Sequence, residues 1–144
     1  MFEKILYPTD FSDVSKKALD YIEQLKKAGA KEVIVLHVID ERGIGPVTRF
    51  APGNADAVLQ SLEADSRKEA RSIEAKLKQK GFTVKVRIEA GVPLREILKA
   101  EEEEKVSAIV IGSHGKTNLE QMVLGSVSEK VIRLSKSPVL VVKR

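Results

Sequence analysis

Five short runs of apolar, largely β-branched residues recur along this chain, and a stretch with helical periodicity separates each run from the next. No other feature constrains the fold as much, because strands separated by helices become parallel strands joined by crossovers. The runs are Lys4–Pro8 (KILYP), Val33–Val38 (VIVLHV), Phe82–Ile88 (FTVKVRI), Ala108–Ile111 (AIVI) and Val139–Val142 (VLVV). The second, fourth and fifth are almost wholly apolar, the pattern of strands covered on both faces. The third alternates polar and apolar residues, which predicts a half-exposed strand at a sheet edge.

Between the first two runs, Val14, Ala18, Ile22 and Leu25 share one helical face, and Gly29 predicts its stop. Leu59, Leu62, Ala70, Ile73 and Leu77 mark a long second helix that Gly81 ends. Gly91-Val92-Pro93 opens a third with proline in its first turn, and Leu94, Ile97 and Leu98 form its buried face. Val127, Val131 and Leu134 define a last helix before Pro138. Asp40–Ala55, with three glycines and two prolines, reads as a loop of a length that function usually explains. Glu101–Glu104 reads as a wet helix surface, since four consecutive residues fan around a helix rather than converge. The resulting order is βαβαβαβαβ: an α/β fold with a mostly parallel sheet, helices on both faces and right-handed crossovers.

At 144 residues the chain fits one domain, residues 1–144. A domain of that size hides roughly 68–70% of its unfolded surface without staples. The absence of cysteine excludes disulfides, a thiolate nucleophile and a cysteine zinc site. Two histidines, His37 and His114, are too few for a histidine-rich metal site. No basic segment leads into a long apolar one, and no apolar run reaches the roughly 20 residues of a membrane span. The expectation is a cytoplasmic protein with no membrane contact. The net charge of +4 is spread among interspersed acids and bases, and four Phe and two Tyr offer few stacking surfaces. No nucleic-acid partner is expected.

The chemistry concentrates in Gly112–Lys130, GSHGKTNLEQMVLGSVSEK. Gly112 and Gly115 follow the fourth strand, and Gly125 and Ser126 open the last helix. Close approach of a phosphate needs backbone without Cβ, and a helix start supplies unpaired amides and the positive end of its dipole. Gly125, Ser126 and Val127 can offer amides there, and Ser126 a hydroxyl. Two look-alikes fail. Gly115-Lys116-Thr117 resembles the end of a P-loop, but that motif needs glycine at position 110, which is Val, and a helix beginning at the lysine. A dinucleotide fingerprint belongs after the first strand, and Thr9–Ser12 has no glycine.

The other half of a site belongs at the carboxyl end of the first strand, where strand order reverses in open α/β sheets. Asp10 is placed there to accept from a ribose hydroxyl or to support a cation. Either Asp10 or Ser12 can instead cap the first helix. His114 touches either a ligand or solvent, and His37, inside an apolar strand, reads as a mostly buried residue. Lys116 either reaches a terminal phosphate or stays in water.

Gly112-x2-Gly115-x9-Gly125-Ser126 resembles the nucleotide-binding signature of the universal stress protein family, in its ATP-binding branch. Ile5-Leu6-Tyr7-Pro8-Thr9-Asp10-Phe11-Ser12, His37-Val38 and Pro138–Val142 are similar to that family too, so the resemblance spans the chain. It implies an open five-stranded parallel sheet of order 3-2-1-4-5, Rossmann-like and similar to the adenine nucleotide alpha hydrolases. It places Pro8, Thr9 and Asp10 beside the adenosine, with Asp10 near the ribose. Val38 meets adenine through its backbone, and Ile111 packs on the base. Gly112 lies near the ribose. Gly115, Gly125, Ser126 and Val127 surround the phosphates, and Ser113, His114 and Ser128 complete the expected contacts. The implied ligand is ATP, ADP or AMP, with Mg²⁺ or Mn²⁺ held mainly by the phosphates.

Family members commonly form homodimers through the fifth strand. Val139–Val142, apolar and without an inward charge, suits such pairing, although Lys143 and Arg144 can equally be edge protection. The function implied is a nucleotide-dependent switch in a stress response, acting on an unidentified protein partner. No general base, arginine finger or P-loop lysine can be assigned, so little or no hydrolysis is expected. A slow metal-dependent ATPase or phosphotransferase is the alternative.

Overall fold

A computed structural model describes residues 2–43, 55–114 and 124–144. The elements are β1 (Lys4–Pro8), α1 (Asp13–Leu25), β2 (Glu32–Asp40), α2 (Ala55–Gln79), β3 (Thr83–Gly91), α3 (Pro93–Glu104), β4 (Ala108–Gly112), α4 (Ser126–Leu134) and β5 (Val139–Val142). The five strands form one parallel sheet of order β3-β2-β1-β4-β5. The predicted architecture is therefore the observed one, with β3 at one edge and β5 at the other.

Period-two alternation sorts the strand side chains into two cores. Ile5 and Tyr7 of β1, Val33 and Val35 of β2 and Val110 of β4 face one way, against Ala18, Leu19 and Ile22 of α1 and Ala70, Ile73 and Leu77 of α2. Leu6, Ile34, Leu36, Ile109 and Ile111 face the other way, against Ile97 and Ala100 of α3 and Val131 of α4. Both faces of the central strands are fully covered, which is why they read as unbroken apolar runs.

Strands β2 and β3 depart from their expected bounds, both for one tertiary reason. Strand β3 was predicted over Phe82–Ile88, but it runs over Thr83–Gly91, because it pairs with β2 from Glu32↔Thr83 to Asp40↔Gly91. For the same reason β2 extends to Asp40, where the sequence predicted the start of a loop. A short 3-10 turn, Glu41–Gly43, follows. The rest of the expected loop before Ala55 lies outside the described residues. Helix α1 stops as predicted: after a 3-10 turn over Lys26–Ala28, Gly29 takes φ 102°, the left-handed conformation that suits glycine.

The expectation for Glu101–Glu104 holds for only two of the four residues. Glu102 and Glu103 are exposed. Glu101 is buried, and its Oε1 accepts from the backbone amides of Lys136 and Ser137, each at 2.8 Å. Glu104 reaches across the sheet edge to Lys85 Nζ at 2.6 Å and Arg87 Nη1 at 3.2 Å, with Lys4 Nζ at 3.9 Å. The run pattern could not reveal this, because the partners lie on other elements.

The hydrogen bond from Lys85, with the charges of Lys85, Arg87 and Lys4, holds the Glu104 carboxyl below the usual glutamate range. A lowered folded-state pKa adds stability above the unfolded-state value of about 4.3, and that stability drains as pH falls through the lower folded-state value. Glu104→Gln is expected to cost under about 1 kcal/mol at neutral pH, in the range of exposed ion pairs. The gap from wild type should close in acid. Urea midpoints measured at neutral and acidic pH check this, and a gap independent of pH would refute the electrostatic account.

Candidate functional site

The sheet opens where β1 and β4 part. Their ladder registers Ile5 with Ala108 and Leu6 with Ile109, yet β1 runs on to Pro8 and β4 to Gly112. The Thr9 amide still donates to Leu36 of β2 at 2.8 Å, while Pro8 has no amide hydrogen to give the opposite side. A cleft of about 930 Å³ lies over these strand ends. Its wall includes Pro8, Thr9, Asp10, Val38, Ile111, Gly112, His114, Gly125, Ser126, Val127 and Ser128, all singled out from the sequence. Ser113 is buried outside that wall, and Gly115, like Lys116, lies outside the described residues.

The β1–α1 turn is tightly cross-linked. Ser12 caps α1, its Oγ accepting from the Ser15 amide at 3.2 Å. Asp10 Oδ1 accepts from the Ser12 amide at 3.0 Å while the residue lines the cleft. The two sequence alternatives thus resolve into one role each. Thr9 is wholly engaged: its amide with Leu36, its Oγ1 with the Phe11 amide at 3.0 Å and with the Ser15 hydroxyl, and its carbonyl with His37 Nδ1 at 2.8 Å. It shapes the turn through its own bonds. Phe11 sits at φ 64°, an unfavourable left-handed conformation for an aromatic residue, and its ring stacks on His37 with centroids 4.4 Å apart. Beneath the turn, Tyr7 donates to the Ser15 carbonyl at 2.7 Å, and burial pushes its hydroxyl pKa up.

Opposite stands the start of α4. Gly125 is its N-cap at φ −63°, ψ 151°, with no side chain capping the helix. The first intrahelical bond runs from the Glu129 amide to Gly125 O. The amides of Ser126, Val127 and Ser128 precede it and so have no acceptor within the helix. The Gly125 amide, counted from the sequence among the free donors, is instead committed to Ser113 O at 2.8 Å. Ser128 Oγ donates to the Gly112 carbonyl at 2.7 Å, which ties the helix to the end of β4. Gly112 has a packing role as well: a Cβ there would lie 3.2 Å from Ser15 N and from Val14 Cγ1.

The histidines differ in how they meet expectation. His114 was given a solvent-facing alternative, yet it is only 6% exposed, with Nδ1 2.7 Å from Ser113 Oγ. His37, read as a mostly buried residue, is partly buried with its Nδ1 2.8 Å from Thr9 O, and only its place in the cleft wall was not foreseen. Its position near the carboxyl end of β2 was the available signal. The sequence reading also missed Asp40 and Arg42, joined by a pair of side-chain hydrogen bonds at 2.9 and 2.7 Å. The bond from Arg42 holds the Asp40 carboxyl below its usual range. Val58, Leu62 and Ser66 of α2 complete a wall that no local motif announced.

The universal stress protein family model matches residues 1–143. The chain belongs to this family. The universal stress protein MJ0577 of Methanocaldococcus jannaschii is 42% identical over 156 residues, covering all of this chain and 96% of its own. Its solved structure superposes with a TM-score of 0.90 at 46% identity, covering 100% of this chain and 97% of that one. YxiE of Bacillus subtilis is 34% identical over 99% of this chain and all of its own. A universal stress protein solved in complex with cAMP is 28% identical, with a TM-score of 0.60, covering 99% of this chain and 97% of that one. The shared fold accounts for the strand order.

Proposed function

We propose that this protein binds an adenine nucleotide, ATP or its di- or monophosphate, in the cleft over β1, β2 and β4. In this reading it acts as a nucleotide-dependent switch in a stress response, with little or no hydrolysis. The observation that carries the reading is the uncapped start of α4, whose first amides lack intrahelical acceptors at the cleft wall. Charge-assisted bonds of roughly 1.5–3 kcal/mol each from such amides suffice for micromolar binding, about −8 kcal/mol. The cAMP complex of a relative supports an adenine nucleotide as the ligand class. Val38 and Ile111 offer apolar surface for the base, and Asp10 a carboxylate for the ribose.

Slow turnover follows from where the charge goes. Arg42 spends its guanidinium on Asp40. It is thereby not prepared to stabilise a transferring phosphoryl group. A divalent cation, Mg²⁺ or Mn²⁺, rides on the phosphate oxygens in this reading. β5 ends the sheet with Leu140 exposed, and pairing there with a second copy gives a homodimer.

Native mass spectrometry of protein purified without added nucleotide should show a dimer retaining an adenine nucleotide. ATP should then titrate more tightly than GTP. A monomer rules out the pairing, and no adenine nucleotide binding up to millimolar concentration rules out the nucleotide reading. Rapid multiple turnover with a divalent metal would favour a metal-dependent ATPase instead.

A further inference from the structure

The cleft has two chemically unlike ends. At one, the start of α4 is tied to the end of β4 and offers amides. The other lies over β2, which is two places from β4 in the sheet with β1 between, a separation of roughly 10 Å. There the wall is apolar, from Val38, Val58 and Leu62, and it carries the Asp40–Arg42 ion pair. Leu36, Val38 and Asp40 alternate along β2 and so share one strand face. The pair is set in place by its own bonds. Asp40 Oδ1 accepts from the Arg42 amide at 3.0 Å and from Nε at 2.9 Å, and Oδ2 accepts from Nη2 at 2.7 Å. A carboxylate has about four lone-pair sites and a guanidinium five N–H groups. Among the described residues, these bonds leave Oδ2 able to accept once more and the Arg42 Nη groups able to donate. The Arg42 and Asp40 side chains are 63% and 41% exposed, so a ligand can reach both. The bond from Arg42 holds the Asp40 carboxyl below its usual range, so at neutral pH it accepts and does not donate. An acceptor and a donor thus stand side by side at the apolar end of the cleft, with their charges cancelled.

One edge of a purine shows the matching pattern. N7 accepts in both purines, whereas position 6 carries a donating amino group in adenine and an accepting oxygen in guanine. We propose that the Asp40–Arg42 pair selects adenine, Asp40 Oδ2 accepting from the 6-amino group while an Arg42 Nη–H donates to N7. The proposal rests on the nucleotide reading above and adds to it the side chains that choose the base. Phosphates at the start of α4 send the other end of the ligand toward β2, where the apolar wall suits a base and a pair of cancelled charges suits its neutral edge. Arg42 alone would also suit guanine, whose O6 and N7 take two donors from one arginine. The Asp40 carboxylate decides against it, because O6 would face an ionised oxygen and neither atom can donate.

The test compares ATP, GTP and 7-deaza-ATP on wild type, Asp40→Asn and Arg42→Ala by titration calorimetry. Asp40→Asn keeps the shape of the side chain and supplies an amide that can donate to O6. It should lower the ratio of ATP to GTP affinity at least about fivefold, the lower end of the discrimination a bidentate base contact gives. 7-deaza-ATP lacks N7 and should bind wild type at least about threefold more weakly than ATP, a bond of roughly average strength. In Arg42→Ala that difference should shrink to within about twofold. Both side chains are exposed, so both variants should melt like wild type. Equal loss of ATP and GTP in Asp40→Asn, or no change in their ratio, would overturn the proposal. So would wild type that binds ATP no better than GTP or 7-deaza-ATP, or a 7-deaza-ATP deficit that persists in Arg42→Ala. Wild type that binds none of the three would overturn the nucleotide reading itself, a separate result.

Discussion

Replacing Ser126 by proline is expected to weaken nucleotide binding roughly 10- to 150-fold while the protein keeps its fold. Position 126 is the first residue of α4, where proline is tolerated because the amide it lacks has no intrahelical acceptor. The preceding residue is already suited: Gly125 at φ −63°, ψ 151° has the extended conformation that proline imposes on its predecessor. The substitution therefore deletes one amide of a cleft-lining residue, together with the hydroxyl, at little cost to the helix. A charge-assisted hydrogen bond of about 1.5–3 kcal/mol gives the stated range. Ser126→Ala, which keeps the amide, separates the two groups and should lose less. Titration calorimetry reads the affinities and thermal melting the fold. A proline variant that melts like wild type and binds nucleotide within about twofold of it would show that the α4 amides do not hold the phosphates.

The largest effect on stability is expected at Glu101. Its buried Oε1 takes two backbone amides, Lys136 and Ser137, and so fixes the turn between α4 and β5. Glu101→Ala leaves both donors without their acceptor, a loss of about 3 kcal/mol at the lower end for bonds to a charged group. For a chain of this size, each kcal/mol lowers Tm by about 2–4 °C, so melting should fall by roughly 6–12 °C. Glu101→Gln retains a carbonyl oxygen in the same place and should lose less than half of that. Melting of Glu101→Ala within about 2 °C of wild type would show that the turn holds without this side chain.

The two substitutions probe opposite ends of α4. One acts on donors the helix leaves free for a ligand. The other acts on the connection by which the helix delivers β5 to the sheet. Loss of affinity without loss of stability in the first, and the reverse in the second, would establish that binding and folding draw on separate groups of one short element.

The strand and helix order was legible because burial leaves its mark on local periodicity. Ile5, Leu6 and Tyr7 are all buried, on alternating faces, and a continuous apolar run is the unavoidable signature of that environment. Gly29 and the Gly125-Ser126 step were legible because backbone conformation at helix ends is a local matter. The glycine segment also marked one wall of the cleft from the chain alone. The commitments of individual polar atoms did not show there. That the Gly125 amide goes to Ser113, that Glu101 holds Lys136 and Ser137, and that His114 is buried are facts about atoms far apart or differently turned. The far wall from Val58, Leu62 and Ser66 is likewise brought by crossover packing. Sequence by itself determined which segments hide from water and where helices begin, because solvent exclusion and backbone sterics act residue by residue. Only the tertiary structure decided which donors stay free for a ligand, because a hydrogen bond needs two specific atoms within about 3 Å, and the fold alone brings them together.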